Sequence, residues 1–227
     1  MLQHVCGLAG RAGAIAAMGR MGKEFLLLLV TAAIAPASVV ASAQDIAAII
    51  DDCESCHGRG GASAWKDIPV IGGMSAFYLD AQLHAYQDGY RPCGEVEYPA
   101  GPERGLVGDM CEAVDGLDAT QIAAIADYFA EQVFIVPDQQ ADRQLAEQGE
   151  ELHERLCAKC HSEGGGLAFD DAGILAGQWR GYLQQSFRQF RAGERWQPEK
   201  MAPTVEQLDD RDVEALVEFY VTRAPVE

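Results

Sequence analysis

The pentapeptide Cys53-Glu54-Ser55-Cys56-His57 returns 104 residues later as Cys157-Ala158-Lys159-Cys160-His161, and no other feature constrains this chain as tightly. The same offset pairs Gly73 with Gly177, Tyr78 with Tyr182, Leu79 with Leu183, Tyr86 with Phe190 and Gly89 with Gly193. From Met110 onward the offset falls to 91. It then pairs Met110 with Met201, Leu117 with Leu208, Asp118 with Asp209, Ile122 with Val213, Ile125 with Leu216, Tyr128 with Phe219 and Phe129 with Tyr220. The first copy therefore carries 13 extra residues between Gly89 and Met110. Matches held at one offset over about 40 positions, and then at a second offset, predict two homologous domains, residues 44–134 and 135–227.

Each copy has the same expected layout. A helix leads into the cysteine motif, over Ile46–Asp52 in the first copy and Ala141–Leu156 in the second. A glycine-rich loop follows, then an amphipathic helix whose apolar side is Phe77, Leu79, Leu83 and Tyr86, or Tyr182, Leu183, Phe187 and Phe190. Gly89 and Gly193 stand where a helix stop is expected. A loop then presents a methionine, and a closing helix starts at Asp118 or Asp209, each suited to an N-cap. No stretch shows sustained strand alternation. Residues 134–140 break the helical pattern and read as a linker.

Residues 1–43 read as a leader. The apolar run Phe25–Ala35 follows Arg11, Arg20 and Lys23 and precedes Ala41-Ser42-Ala43, a small-x-small cleavage pattern. Met18 and Met21 are alternative starts. The rival reading is an uncleaved membrane anchor over Phe25–Ala43, which Pro36, Ser38 and Ser42 disfavour. Export places the mature chain in the periplasm, an oxidising compartment. The whole sequence holds 17 basic and 35 acidic residues, net −18. The leader takes Arg11, Arg20, Lys23 and Glu24, leaving 14 basic against 34 acidic residues. Such a surface repels nucleic acid and anionic membranes and suits a basic or neutral protein partner. Membrane association is expected only if the leader is retained.

C-x-x-C-H is the attachment pattern of c-type haem. Cysteines three apart lie on one side of a helical turn, where each thiol can add to a haem vinyl group. The adjacent histidine then reaches the iron. A lone C-x-x-C would also suit zinc or a redox disulfide. Here both are followed at once by histidine inside a longer repeat. Two haem c groups are therefore expected, bound covalently by Cys53, Cys56, Cys157 and Cys160, with His57 and His161 as axial iron ligands.

The repeat nominates Met110 and Met201 as the opposite axial ligands. Thioether ligation raises the reduction potential and suits a carrier. Met74 and His84 are rivals at the first haem. Met74 aligns with Gln178 and reads as packing; His84 aligns with Arg188 and reads as exposed; His153 reads as a surface residue. With four mature cysteines committed to haem, Cys93 and Cys111 remain, and a disulfide between them is expected to pin the expanded loop beside the first iron. Trp179 and Tyr182 are candidates for haem-edge contacts, with Tyr78 and Arg191 behind them.

These residues resemble a known family. The segments Leu152–Gly165, Ile174–Trp179 and Glu199–Ala202, with the first motif and Asp109-Met110, resemble two-haem class I cytochromes of the cytochrome c4 type. The nearest resemblance is to the cytochrome subunit of flavocytochrome c, the sulfide dehydrogenase of sulfur-oxidising bacteria. The resemblance implies an all-α fold of two tandem class I cytochrome c domains related by a pseudo-twofold. It also implies histidine–methionine ligation at both irons and redox partner proteins, among them a flavoprotein subunit that oxidises sulfide and passes electrons in, for delivery to another cytochrome or an oxidase. The insertion with Cys93 and Cys111 departs from the family pattern. Two alternatives stay open: a stand-alone shuttle to a terminal oxidase, and a dihaem enzyme of the peroxidase or thiosulfate-oxidising kind. The enzymes need an open or unusual axial site, and a methionine in each copy favours the carrier.

Overall fold

Helix α1 (Ala43–His57) runs straight through the first cysteine motif and ends where Gly58 turns to φ 76°. A residue with a side chain rarely adopts that angle, and glycine is the usual helix terminator there. The computed structural model describes residues 43–226, with side chains from Ile46; the apolar leader segment and the anchor alternative lie outside the described residues. Among the described residues no helix is long and apolar enough to cross a membrane.

Helix α2 (Ala76–Gln87) starts at Ser75, whose hydroxyl accepts from the Tyr78 N–H at 3.1 Å. Gly89 ends it with φ 72°. The insertion follows. It forms a two-residue antiparallel pair, β1 (Val96–Glu97) and β2 (Val107–Gly108), where no strand was expected. Two residues per strand are too few to show alternation in a sequence. Helix α3 (Met110–Val114) is capped by Asp109, and α4 (Ala119–Ala130) by the Asp118–Gln121 capping box.

The second half repeats this order. Helix α5 (Arg143–Leu156) is capped by Asp142. A short turn, α6 (Ser162–Gly165), leads to α7 (Arg180–Arg191), α8 (Ala202–Glu206) and α9 (Asp210–Val221), the last with a capping box from Asp209 and Asp212. Residues 134–140 carry no regular structure. Backbone bonds match between copies at the sequence offsets. Ile71 N–H donates to Gly61 O at 2.9 Å, and Leu175 to Gly165 at 2.8 Å. Gly73 N–H donates to Phe129 O at 2.9 Å, and Gly177 to Tyr220 at 2.8 Å.

The copies differ at two places the sequence reading placed alike. In the first copy the cysteine motif is helical. In the second, α5 stops at Leu156 and the motif lies in turns. The following loop differs as well: the Asp170 carboxylate accepts from both the Ser162 N–H, at 2.5 Å, and the Ser162 hydroxyl, at 2.9 Å. Those groups align with Gly58, which has no such partner. On α2, Phe77 is 69% exposed and does not belong to the buried side; Leu79 does.

Two apolar clusters hold the halves. Met74, Leu79, Ile125, Ala126 and Phe129 form one, with α2 packed on α4. Leu152, Leu183, Leu208, Leu216, Phe219 and Tyr220 belong to the other, with α5 packed on α9. The described residues pack as one unit. Ile174 of the second half sits in the first cluster. At the seam, the buried Gln178 side chain donates to Val70 O and accepts from Val70 N–H, both at 2.9 Å. The Trp179 indole N–H donates to Ser63 O at 2.9 Å. The architecture is all-α, two tandem copies of one helical arrangement.

Candidate functional site

Because α1 continues through the first motif, Cys53, Cys56 and His57 share its C-terminal turns and face one cavity. Both cysteines are unpaired and half-buried. Their thiols are raised, that of Cys53 to about 12, mainly by burial and then by Asp52. Burial also pushes the His57 imidazole down, with the Pro69 carbonyl opposing and Arg91 adding to the effect, so the ring is neutral near pH 7. Its Nδ1 stands 3.0 Å from Pro69 O. A carbonyl at that nitrogen fixes the tautomer and leaves Nε2 as the metal-binding atom.

Met110, first residue of α3, lines the same cavity, as do Met74, Leu79, Tyr86 and Phe129. The space is thus mainly apolar, with a thioether, an imidazole and two thiols on its wall. That donor set fits a covalently held haem with histidine and methionine at its iron. A closed zinc site would need a fourth nitrogen, sulfur or carboxylate donor beside the two thiols and the imidazole, and those three do not form a compact group. Among the described residues the one compact group of potential metal ligands is Cys93, Asp109 and Cys111, and its two cysteines are bonded to each other. That disulfide, with Cα atoms 5.8 Å apart, ties the start of the insertion to the residue after Met110.

In the second set the two cysteines differ in exposure. Cys157 is half-buried against the second apolar cluster, and Cys160 is exposed. Met201 is half-buried at the start of α8. His161 Nδ1 is buried with no hydrogen-bond partner. Its imidazole is pushed down to about 4, mainly by burial and then by His153, with Asp170 opposing. Nδ1 is the nitrogen which the Pro69 carbonyl holds at His57, and a metal would be met by Nε2. Two thiols, an imidazole and a thioether are the same donor types as in the first set, and as types they fit a second haem.

His153 contradicts the surface reading: it is 0% exposed, with Nδ1 3.1 Å from the Tyr220 hydroxyl and Nε2 unpartnered. It lies on the face of α5 that meets α9. His84 stays on its helix, half-buried beside Asp80, and does not line the cavity. Met74 is core as well as cavity wall, 3% exposed. Trp179 is buried in the seam and does not line the first cavity. Tyr182 does line it, reaching across from the second half, and Tyr78 lines it from its own half. Arg191 is a surface residue paired with Asp210.

Two residues escaped the sequence reading. Arg91 and Arg195 are each 7% exposed, and both lie at the seam. They are 104 apart, so the repeat pairs them, but Arg91 lies beyond Gly89 at the edge of the insertion.

Comparison with known proteins bears on the family. A family model described as cytochrome C oxidase, cbb3-type, subunit III matches residues 144–219. Cytochrome c-552 of Acidithiobacillus ferridurans is 29% identical over 161 residues, 65% of this chain and 63% of that protein. The thiosulfate dehydrogenase electron acceptor of Stutzerimonas stutzeri (strain A1501) is 32% identical over 81 residues, 36% of this chain and 32% of that protein. Both matches span less than two thirds of the relative's length. Cytochrome c-554(548) of Halomonas halodenitrificans is 32% identical over 83 residues, 37% of this chain but 87% of that protein. Reduced recombinant cytochrome c4 from Pseudomonas stutzeri superposes with a TM-score of 0.64 at 28% identity, covering 80% of this chain and 98% of that one. On sequence and fold together, the chain belongs to the cytochrome c4-like class I cytochrome c family.

Proposed function

We propose that this protein is a periplasmic electron carrier with two haem c groups, one in residues 44–134 and one in residues 135–227. The observation that carries the reading is the cavity where Cys53, Cys56, His57 and Met110 meet, with the same residue types repeated at Cys157, Cys160, His161 and Met201. Haem iron supplies a one-electron couple at each site. The residues would hold and insulate it: the cysteines would anchor the macrocycle, the Pro69 carbonyl orients His57, and the apolar wall would exclude water. The leader and the Cys93–Cys111 disulfide support an oxidising compartment.

The proposed donor is a flavoprotein sulfide dehydrogenase subunit. Oxidising hydrosulfide to sulfur releases one proton and two electrons, and the chain takes one electron per haem before delivering both to another cytochrome or an oxidase. A second donor, thiosulfate dehydrogenase, is favoured by the likeness to an electron acceptor of that enzyme.

Anaerobic titration of the purified protein should consume two electron equivalents per chain, and isolation from its native periplasm should show which donor reduces it. Co-purifying flavin with sulfide-dependent reduction supports the first donor. A flavin-free protein reduced only through thiosulfate dehydrogenase supports the second. High-spin haem with peroxide turnover would contradict the carrier.

A further inference from the structure

The insertion of the first copy lies across its cysteine motif. The chain turns at Gly101, where φ is 76° and a Cβ would lie 2.8 Å from the Ser55 Cβ. Ser55 stands between the two cysteines and is only 6% exposed. Tyr98 lines the cavity with Cys56, and its ring packs on Gly108, where a Cβ would lie 2.6 Å from the ring carbon Cε2. Backbone bonds close the hairpin. Tyr98 N–H donates to Leu106 O at 2.8 Å, and Gly105 N–H donates to Tyr98 O at 2.9 Å. The Cys93–Cys111 disulfide ties the two ends of the insertion together. Glu95, Glu97 and Glu103 project from it into solvent.

The second copy is the internal control, because its sequence lacks the insertion. Lys159, the counterpart of Ser55, is exposed there, and so is Cys160, whereas Cys56 is half-buried. A haem held by two thiols carries both on one side of the macrocycle. In the first copy that side meets the insertion, and in the second it meets water. Electron transfer between proteins weakens steeply as the separation of the two cofactor edges grows, so a layer of chain at one site is enough to set the two apart.

We propose that the insertion is a disulfide-pinned strap that closes the thioether edge of the first haem site, so that electrons enter and leave the molecule at the second, where another redox protein docks against Lys159 and Cys160. This rests on the functional reading above. The partner loses one electron for each that the chain gains, and no bond is made or broken. The first site is reached only from within the molecule.

The test uses the intact two-haem protein, fully reduced so that both irons are diamagnetic. Proton NMR follows the edge protons of each haem while a soluble gadolinium chelate is added. Relaxation at the second haem should be enhanced several-fold more than at the first. Gly101→Leu crowds the turn off Ser55 and should raise the response of the first haem to that of the second, with the methionine methyl signals retained at both. Cys93→Ser combined with Cys111→Ser frees the ends without crowding the motif and should act in the same direction. In stopped-flow oxidation by tris(phenanthroline)cobalt(III), a bulky cation, Lys159→Glu should speed the loss of both electrons several-fold, and Glu103→Lys should leave it unchanged. Equal relaxation of the two haems in wild type, no gain at the first haem in either strap variant, or a rate that answers to Glu103→Lys and not to Lys159→Glu would overturn the proposal. A chain without covalent haem would give no haem signals and would refute the functional reading instead.

Discussion

At the scale of single residues, the informative contrast is between the two methionines on the wall of the first cavity. Met110 starts a five-residue helix capped by Asp109, so its side chain can reach the cavity without disturbing the core. Met74 is embedded in the core with Leu79 and Phe129. Met110→Ala should therefore abolish the methionine-to-iron absorption band at one haem and admit carbon monoxide there, with little loss of stability. Met74→Ala should keep the band and destabilise the fold by about 2–5 kcal/mol, as for other buried methionines. The reverse pattern would assign the ligand to Met74. His153 makes a second residue-scale prediction. Burial, the largest cause, holds its imidazole below the ordinary 6.5, as does Arg223, while Glu154 opposes. Below pH 6.5 the unfolded chain therefore binds more protons than the folded one, and stability present above that pH is lost as pH falls. Thermal melts between about pH 7 and about pH 5 should show a smaller drop in Tm for His153→Gln than for wild type. Equal slopes would show that His153 does not titrate on unfolding.

At the scale of elements, α5 and α9 approach most closely, and one residue permits it. A Cβ at Gly149 would lie 2.0 Å from the Ala215 carbonyl oxygen and 2.7 Å from the Phe219 Cβ. Backbone cannot give way as a flexible side chain can. Gly149→Ala should therefore cost about 3 kcal/mol by overpacking, although alanine is the better helix former. Denaturant unfolding checks this: an unchanged midpoint would mean the helices can separate without loss. The sequence disclosed most elements because their signals are local. Asp118 and Asp209 sat before apolar runs of helical period, and both became capping boxes. It did not disclose the unwinding of the second motif, nor the contact of Asp170 with Ser162, which forms only through the folded loop. The exposure of Phe77 was equally hidden, since hydrophobicity alone does not say which side of α2 meets α4. His153 was misread for a related reason. A histidine among glutamates and arginines looks solvated until α9 covers it.

At the scale of the whole molecule, the repeat made two copies of one fold legible, and the seam between them was not. Gln178, Trp179, Arg91 and Arg195 contact residues far away in sequence, and no local pattern marks such partners. The first site was readable in its thiols, imidazole and candidate methionine, which cluster by motif and repeat. Its far wall, supplied by Tyr182 from the other half, was not. The central claim is that each half covalently holds one haem. Mass spectrometry of the denatured protein tests it directly. The account predicts a chain heavier than its polypeptide by two haem groups, with one haem on the peptide containing Cys53 and Cys56 and one on that containing Cys157 and Cys160. A mass equal to the bare polypeptide, or porphyrin extracted by acidified solvent, would contradict it.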